Sequence, residues 1–403
     1  MVNIEKPALF ESGAMEHCVQ THLLDYQDIG LVTALARALH AHTPFTRVFS
    51  QTEAGPLVAG HLTTVLGLPG NSAAVTRLLH DKLALRSLLN ERGIGRVEVA
   101  RGSSRETLQR FVDRHGAAVV KPTMGSGSLG VRKVLSASEV PATLDWLASF
   151  GVRDFMVEEL LVGAELSVET FSVGGRHSVV AITGKDNGGG VVALGHVVPA
   201  VLSTRQASAV EDITLRMLDA VGLTEGPAHT EVILTADGPR VVESHNRCAG
   251  GYINELVELV YGVDMERTTY LLARNPGPSR VRERGQGAAA VRFLAPPAGR
   301  VEDIRGVDQA RAAHGVVKVD IKVRPGQDVR PLCWSEDRSG AVIARADSSE
   351  AAEHRARQVA ESIEIRTNGQ ELQPSVTMGG LLATVHEVLD PFGDAADAAP
   401  STG

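Results

Sequence analysis

Residues Val119–Val131 read VVKPTMGSGSLGV, in which a lysine ends an apolar run and a loop of alternating glycine and serine follows. The three glycines spell G-x-G-x-x-G, the fingerprint of dinucleotide-binding domains, which requires a strand before the glycines and a helix after them. The strand is present at Ala117–Lys121, but Val131–Leu135 continues in near alternation, which predicts a second strand. The stretch is therefore predicted to be a β-hairpin with glycines at its tip, rather than part of a Rossmann dehydrogenase.

A glycine-rich hairpin tip can act as a mobile lid, because its backbone N–H groups can close over phosphates. We therefore expect Gly125–Gly130 to cover a triphosphate, and we expect the protein to use ATP.

Bulk composition excludes several classes of protein. The chain has 403 residues, enough for two or three domains with their own cores. A formal net charge of −8 and the lack of a long basic run argue against general nucleic-acid binding. Three widely spaced cysteines give neither a disulfide framework nor a zinc site. The stretch MVNIEKPALFESG lacks the apolar core of a signal peptide, and no run has the length of a membrane span. We expect a cytoplasmic protein with no nucleic-acid or membrane partner.

Lysine is rare in this chain, with seven lysines against 33 arginines. Where arginine is the usual cation, a lysine indicates a position that needs a compact ammonium, as phosphate sites often do. Lys82, Lys121 and Lys185 all lie in candidate motifs. Lys82 belongs to the inward face of a helix predicted from Asn71 or Ser72 to about Arg92. The alternative is that Lys82 and Arg86, one turn later, are cations that snorkel at the edge of the apolar stripe.

The remaining pattern mixes short helices and strands, with an antiparallel series in the middle of the chain. Residues 1–70 show no opening strand and glycine turn of a mononucleotide-binding half, so this lobe is expected to be abbreviated. Residues 288–366 are expected to hold strands and one helix. Helices are predicted at 29–40, 55–66, 138–150, 207–221, 255–259, 265–273 and 348–362, and from Ser103 or Ser104 onward. Strands are predicted at 47–50, 96–100, 154–161, 164–173, 177–183, 191–198, 229–235 and 240–245.

Glu231 and Glu243 form the strongest candidate site, in HTEVILTADGPRVVESHNRCAGG (229–251). They lie twelve positions apart on the two arms of a predicted hairpin. Both side chains share one sheet face if the loop holds an odd number of residues, whereas a two-residue turn would split them. Two carboxylates on one face repel each other unless a cation lies between them, and Mg²⁺ with nucleotide phosphates is the natural one. The alternative, an exposed pair of unrelated glutamates, is disfavoured by their apolar neighbours.

Two further groups are weaker candidates. Arg247 follows the second strand and could stabilise negative charge on a transferring phosphoryl group or a tetrahedral adduct. The alternative is a structural salt bridge to one of the two glutamates. Met156–Leu161 is an apolar strand with acidic residues at its end, and with Glu165 it could bind adenine and ribose. Acidic residues at strand ends are common, so this motif indicates little by itself.

This order of motifs resembles the ATP-grasp superfamily over roughly residues 70–275. The C-terminal region resembles that of the carboxylate–amine ligase branch, which includes L-amino-acid ligases. The resemblance implies an α/β fold with α+β lobes: an abbreviated Rossmann-like N-terminal lobe, a glycine-lid subdomain and an antiparallel-sheet catalytic domain. The implied divisions are 1–70 for the N-terminal domain, 71–165 for the linker helix and lid, 166–280 for the catalytic subdomain, 281–390 for a C-terminal α+β region and 391–403 for a disordered tail.

The resemblance also implies a role for each nucleotide-site candidate. Lys82 and Lys121 would hold the α- and β-phosphates of ATP, and Ser126, Gly127 and Ser128 would form the lid. The residues implied to bind adenine and ribose are Glu158, the backbone of Glu159 and Leu160, and Glu165.

At the reacting end, the resemblance implies that Glu231 and Glu243 bind Mg²⁺ and that Arg247 stabilises an acyl phosphate and the adduct formed on it. The family often has asparagine two residues after the second glutamate. Here that position is His245 and Asn246 comes one later, so the third ligand is left open.

Three further positions bear on the substrate side. Biotin-carboxylase-like relatives carry an acidic base where this chain has Gly251, which argues against carbonate chemistry. Lys185 begins a glycine-rich segment that could form a second mobile loop, and His196 lies on a strand that resembles the substrate side of amino-acid ligases. For Lys185 and His196 the sequence favours a structural role over a catalytic one.

The resulting hypothesis is an ATP- and Mg²⁺-dependent ligase that activates a small-molecule carboxylate as an acyl phosphate and joins it to an amine. Amino acids are the expected substrates, a dipeptide or amide the expected product, and ADP and phosphate the by-products. The alternatives are another ATP-grasp activity, such as a purine-pathway ligase or a carboxylase, and a nucleotide-binding module without catalysis. A homodimer is expected by analogy.

Overall fold

The computed structural model describes residues 1–9, 17–102, 104–149, 151–152, 154–274 and 285–369. The described residues fall into two compact units, one spanning Met1–Arg77 and the other beginning at Leu78. The tail predicted to be disordered, 391–403, lies outside the described residues. The finer five-part division of the chain stays a prediction. No helix in the described part of the chain is long and apolar enough to cross a bilayer.

The first unit is a small α/β lobe. Strand β1 (Val2–Glu5) pairs in parallel with β2 (Gln20–Leu23), and helices α1 (Ile29–His42) and α2 (Gly55–Val65) follow. A short 3₁₀ helix, Pro7–Leu9, follows β1. An opening strand is therefore present although none was predicted, because four residues are too few to give a clear alternation.

The strand predicted at 47–50 is wrong, since these residues have no regular structure. The hydroxyls of Ser50 and Thr52 lie 3.1 Å apart, and the Thr52 hydroxyl accepts a hydrogen bond of 3.1 Å from the backbone N–H of Gly55. Such side-chain bonds offer the backbone an alternative to strand pairing, here a turn that leads into α2.

The helix predicted over 71–92 is two helices, α3 (Ala73–His80) and α4 (Lys82–Glu91). Asp81 separates them, and its carboxylate accepts hydrogen bonds from the backbone N–H groups of Leu83 and Ala84 at 3.0 and 2.9 Å. Aspartate is a preferred N-cap because its oxygen satisfies donors that have no partner within the helix. The cap makes Lys82 the first residue of α4.

A four-stranded antiparallel sheet in the order β3-β6-β4-β5 carries the glycine hairpin, which joins β4 to β5 as predicted. Strand β3 begins three residues later than predicted, because the side chain of Asn90 bonds both backbone groups of Val97. The elements of this region are β3 (Val99–Gly102), α5 (Arg105–His115), β4 (Ala118–Pro122), β5 (Arg132–Val134), α6 (Val140–Ser149) and β6 (Phe155–Glu159).

An eight-stranded antiparallel sheet in the order β11-β10-β7-β8-β9-β12-β16-β14 forms the centre of the second unit. Its strands are β7 (Gly163–Val173), β8 (Arg176–Asp186), β9 (Gly195–Val198), β10 (Gly226–Thr235), β11 (Gly238–His245), β12 (Ala288–Leu294), β14 (Val316–Ile321) and β16 (Gly340–Ala346). A smaller sheet contains β13 (Gly299–Arg305), β15 (Asp328–Val329) and β17 (Glu364–Thr367). The helices are α7 (Thr204–Val221), α8 (Ile253–Tyr261), α9 (Met265–Arg274), α10 (Val307–Ala312) and α11 (Ser349–Glu361).

Helix α10 was not predicted, because six residues are too short for an apolar period to register. Helix α7 covers one face of the large sheet, where Val210 packs against Leu166, Val168 and Val232. Each such fully buried side chain contributes about 2 kcal/mol to stability. Because residues alternate between the faces of a strand, Glu165 and Ser167 face the opposite side, and that face carries the candidate site.

Candidate active site

Glu231 and Glu243 face each other in the β10–β11 hairpin. The turn holds only two residues, which by itself would place the two carboxylates on opposite faces. A β-bulge between Glu231 and Val232 shifts the register, so that Val232 lies opposite Val241 and Glu231 lies opposite Glu243. One extra residue on β11, Val242, restores the common face.

The same face continues across the sheet as a row of polar side chains. The register places Glu231 opposite Ser167, and Ser167 opposite Thr183. Lys185 lies opposite His196, which in turn lies opposite Val291. Since residues two apart on a strand share a face, one side of the sheet presents a row from β11 to β12. The row consists of Glu243, Glu231, Glu165, Lys185 and His196, and it ends at the aromatic ring of Phe293.

Lys185 is part of this site, although the amino-acid sequence alone left its role open. Its ammonium lies 2.6 Å from Glu231 Oε1 and 2.9 Å from Glu165 Oε1. Burial alone would lower the pKa of Lys185, but the two carboxylates outweigh burial and raise it above its ordinary value. Burial likewise favours a higher pKa for Glu231, yet Lys185 holds the pKa of that carboxyl well below its usual range. Both groups are therefore charged at neutral pH.

Lys82 joins the second glutamate to the glycine loop. Its ammonium lies 3.1 Å from Glu243 Oε2 and donates a hydrogen bond to the carbonyl oxygen of Gly125. His245 Nε2 lies 3.2 Å from Glu243 Oε1. Burial would raise the pKa of Glu243, but Lys82 first and His245 second lower it far below its usual value. The inward orientation predicted for Lys82 is confirmed, since the residue is buried.

Lys121 belongs to a buried network with Glu158 and Arg86. Lys121 Nζ lies 2.6 Å from Glu158 Oε2, and Arg86 Nε lies 2.6 Å from Glu158 Oε1. Arg86 also donates to the carbonyl oxygen of Val241, beside the bulge that aligns Glu243. Burial would raise the pKa of Glu158, but the two cations lower it overall. Arg86 does not snorkel: it is only 2% exposed, and sequence reasoning missed its part in the site.

The glycine loop contacts two other segments of the second unit. Ser128 adopts a positive φ of 64°, and its hydroxyl donates a hydrogen bond of 2.7 Å to the carbonyl oxygen of Val191. The carbonyl oxygen of Gly127 accepts a hydrogen bond of 3.0 Å from the backbone N–H of Ser335. Lys133 Nζ donates to the carbonyl oxygens of residues 189 and 190. The predicted second glycine-rich loop is therefore a neighbour of the first, and Ser126, half-buried, directly precedes the two contacts of Gly127 and Ser128.

The other predicted site residues lie at or just after the ends of β6 and β11. Glu159 ends β6, and its Oε1 accepts a hydrogen bond of 3.1 Å from the backbone N–H of Glu98. Leu160 follows directly. Arg247 lies in the turn after β11, where its Nη1 donates to the carbonyl oxygen of Cys248 at 2.8 Å. The Oδ1 atom of Asn246 is buried and accepts no hydrogen bond from any described residue.

A second buried network lies behind Glu231 and was not anticipated. His229 Nδ1 lies 2.9 Å from Glu169 Oε2, and Ser167 donates a hydrogen bond of 2.7 Å to Glu169 Oε1. His229 Nε2 lies 3.5 Å from Glu231 Oε1. Burial would lower the pKa of His229, but Glu169 and Glu231 outweigh burial and raise it to about 9. His229 and Glu231 share a face because they are two residues apart on one strand, but nothing local pairs His229 with Glu169, 60 residues away.

The donor set fits a polyphosphate together with a dication. Lys82, Lys121 and Lys185 are buried cations that suit phosphate oxygens. Glu231 and Glu243 offer facing carboxylates, the ligand type that Mg²⁺ prefers, and the buried amide oxygen of Asn246, three residues after Glu243, is a further oxygen donor.

Comparisons with known proteins show which families this chain is similar to. Residues 115–255 match the ATP-grasp domain, and residues 292–368 match the L-amino acid ligase C-terminal domain 2. An uncharacterized protein of Sinorhizobium fredii is 29% identical over 369 residues, which cover 89% of this chain and 76% of that protein. An L-arginine-specific L-amino acid ligase of Bacillus subtilis is 21% identical over 325 residues, which cover 76% of each chain.

A crystal structure of an L-amino acid ligase from Bacillus licheniformis superposes with a TM-score of 0.78 at 21% identity. The match covers 91% of this chain and 92% of that one. At this level of identity the likeness shows the fold, and the predicted ATP-grasp fold is confirmed.

Proposed function

Because this chain belongs to the ATP-grasp superfamily and carries the C-terminal domain of L-amino acid ligases, we propose that it is an ATP-dependent carboxylate–amine ligase. It activates the carboxylate of one small molecule and joins it to the amine of another, releasing ADP and phosphate. The observation that carries the proposal is the pair of facing glutamates, Glu231 and Glu243, each ion-paired with a buried lysine.

The chemistry explains why ATP is needed. A carboxylate does not react with an amine at a useful rate, because its carbonyl carbon is electron-rich and oxide is a poor leaving group. Attack of a carboxylate oxygen on the γ-phosphorus forms a C–O–P linkage and breaks the bond to ADP. The amine then attacks the carbonyl carbon, loses a proton, and phosphate departs with the electron pair of the broken C–O bond.

This chain's residues would act at each stage. Lys82 and Lys121 bind and orient the phosphates, and Arg247 stabilises the oxyanion that forms when the amine attacks. Mg²⁺ held by Glu231 and Glu243, with Asn246 as a further ligand, would offset the repulsion between triphosphate and carboxylate.

The remaining proposed roles concern binding of adenine and ribose and closure of the glycine lid. Both oxygens of Glu158 already bind cations, so we assign this carboxylate to positioning Lys121. We assign adenine binding to the backbone of Glu159 and Leu160, and ribose binding to Glu165. Closure of Ser126–Ser128 over the phosphates would exclude water and so protect the acyl phosphate from hydrolysis.

The substrates are proposed to be amino acids, which is supported by the similarity to L-amino acid ligases. A cytoplasmic location and a homodimer remain proposals that rest on analogy. Carboxylase chemistry lacks support, because position 251 is a glycine with a positive φ of 61° and no acidic side chain.

The proposal is tested by incubating the purified protein with ATP, Mg²⁺ and pairs of amino acids, then measuring ADP and identifying products by mass spectrometry. We expect ADP and phosphate in equal amounts with an amide or dipeptide whose mass is the sum of the pair less one water. Release of AMP and pyrophosphate would refute the acyl-phosphate route, and ADP formation that requires bicarbonate but no amine would point to a carboxylase.

A further inference from the structure

Arg338 is a buried cation outside the proposed ATP site. It precedes β16 and is only 9% exposed. Its Nε and Nη2 donate hydrogen bonds of 3.1 and 2.7 Å to the carbonyl oxygen of Ala193, and its Cζ lies 3.7 Å from the centroid of the Phe293 ring. No carboxylate among the described residues lies within ion-pair distance of this guanidinium. Every other buried cation described above has such a partner.

An unpaired buried charge is costly, so its retention indicates a counter-ion that comes from a ligand. Burial lowers the pKa of Arg338 to about 10, and the exposed Glu336 opposes this only in part. The guanidinium is therefore charged at neutral pH. The stacked, planar group holds its remaining N–H donors in a fixed orientation, which suits a carboxylate.

Contacts connect Arg338 to the reacting end of the site. Lys185, which binds Glu231, lies opposite His196 in the sheet. The His196 ring meets the Phe293 ring edge-on at 5.4 Å, and Phe293 stacks with Arg338. The Nδ1 atom of His196 is buried and has no hydrogen-bond partner among the described residues. One polar atom that the described residues leave unsatisfied thus lies between Glu231 and Arg338.

Arg338 and the two glutamates lie at different places along the sheet. Glu231 lies on β10 and Phe293 on β12, four strands further along the sheet. At about 4.8 Å per strand, the two backbones are about 19 Å apart. A carboxylate held at the two glutamates is therefore not the counter-ion of Arg338, whereas the carboxylate of a second amino acid bound between the two positions lies closer to Arg338.

We propose that Arg338 binds the free α-carboxylate of the amino acid that supplies the amine, the group that becomes the C-terminal carboxylate of the product. This assignment rests on the proposed ligase function and adds the residue that recognises the carboxylate of its amino-acid acceptor. Arg338 takes no part in activating the other carboxylate.

Hydroxylamine separates formation of the acyl phosphate from binding of the amino-acid acceptor. It is an amine with no carboxylate, and it traps an acyl phosphate as a hydroxamate. The acyl donor and amino-acid acceptor are the pair found in the product screen, and the variants are Arg338→Gln and Arg338→Lys. Arg324→Gln is the matched control, since Arg324 is an exposed arginine in the same region. Each protein is assayed for hydroxamate formation and for amide formation with the amino acid.

For Arg338→Gln we expect kcat/KM for the amino-acid acceptor to fall about tenfold to a hundredfold, the loss of one charge-assisted contact, while hydroxamate formation is unchanged. Arg338→Lys should recover part of the loss, and Arg324→Gln should match the wild type in both assays. An equal loss of both reactions in Arg338→Gln would overturn the assignment.

A second test uses only the wild type, so its result does not depend on whether the variants fold. The wild type should use the free amino acid far better than its carboxamide, and equal use of the two would contradict the role of Arg338. If the wild type forms no hydroxamate with any donor, the proposed ligase function fails, and this assignment with it.

Discussion

Replacing Glu243 with glutamine is expected to abolish Mg²⁺-dependent turnover while the protein stays folded. The amide has the size of the carboxylate but no charge, so the dication would lose one of its two facing anions. A loss of about 4 kcal/mol in transition-state stabilisation corresponds to roughly a thousandfold decrease in kcat. The measurement is the rate of ADP release over a Mg²⁺ titration.

Stability should change little in this variant, because two effects oppose each other. The substitution removes the ion pair with Lys82, and it also removes the repulsion between Glu243 and Glu231. Glu302→Gln is the matched control, since Glu302 forms an exposed ion pair with Arg366 and should keep full activity. Wild-type kcat and Mg²⁺ dependence in Glu243→Gln would show that Glu243 does not bind the metal.

Replacing Arg86 with alanine is expected to give a large loss of stability. Arg86 is buried between Glu158 and the carbonyl oxygen of Val241, so its removal leaves Glu158 with Lys121 alone and this carbonyl without its donor. Breaking a buried ion pair by removing one partner costs about 3–5 kcal/mol. For a unit of this size the melting temperature should fall by on the order of 10 °C.

The control is an ion pair of the same type at the surface. Arg101 on β3 pairs at 2.5 Å with Asp154, which directly precedes β6, and 67% of the Arg101 side chain is exposed. Arg101→Ala should cost less than about 1 kcal/mol, because water screens an exposed pair. Urea denaturation of both variants measures the difference. If Arg86→Ala costs no more than Arg101→Ala, Arg86 does not hold the network together.

Features that depend on neighbouring residues could be predicted from the sequence. The alternation on both sides of Gly125–Gly130 predicts the hairpin, and the apolar neighbours of Glu231 and Glu243 predict buried strands. The break between α3 and α4 also had a local signal, the capping residue Asp81, but a continuous apolar stripe obscured it.

Pairings between distant parts of the chain could not be predicted in the same way. Arg86 and Glu158 are 72 residues apart, and no local pattern connects them. The bulge at Val242 depends on how β10 and β11 pack, so counting turn residues alone would have placed the two glutamates on opposite faces. Arg338 has no motif around it, and only its burial against Phe293 distinguishes it from 32 other arginines.

The central claim is that the carboxylate is activated as an acyl phosphate. Transfer of a carboxylate oxygen to the released phosphate tests this claim most directly. The acyl donor is labelled with ¹⁸O in its carboxylate, and the released phosphate is analysed by mass spectrometry after turnover with ATP and the amine. If Glu231, Glu243 and the lysines support acyl-phosphate formation, each phosphate carries one ¹⁸O atom. Phosphate without the label, or label recovered in AMP, would contradict the account.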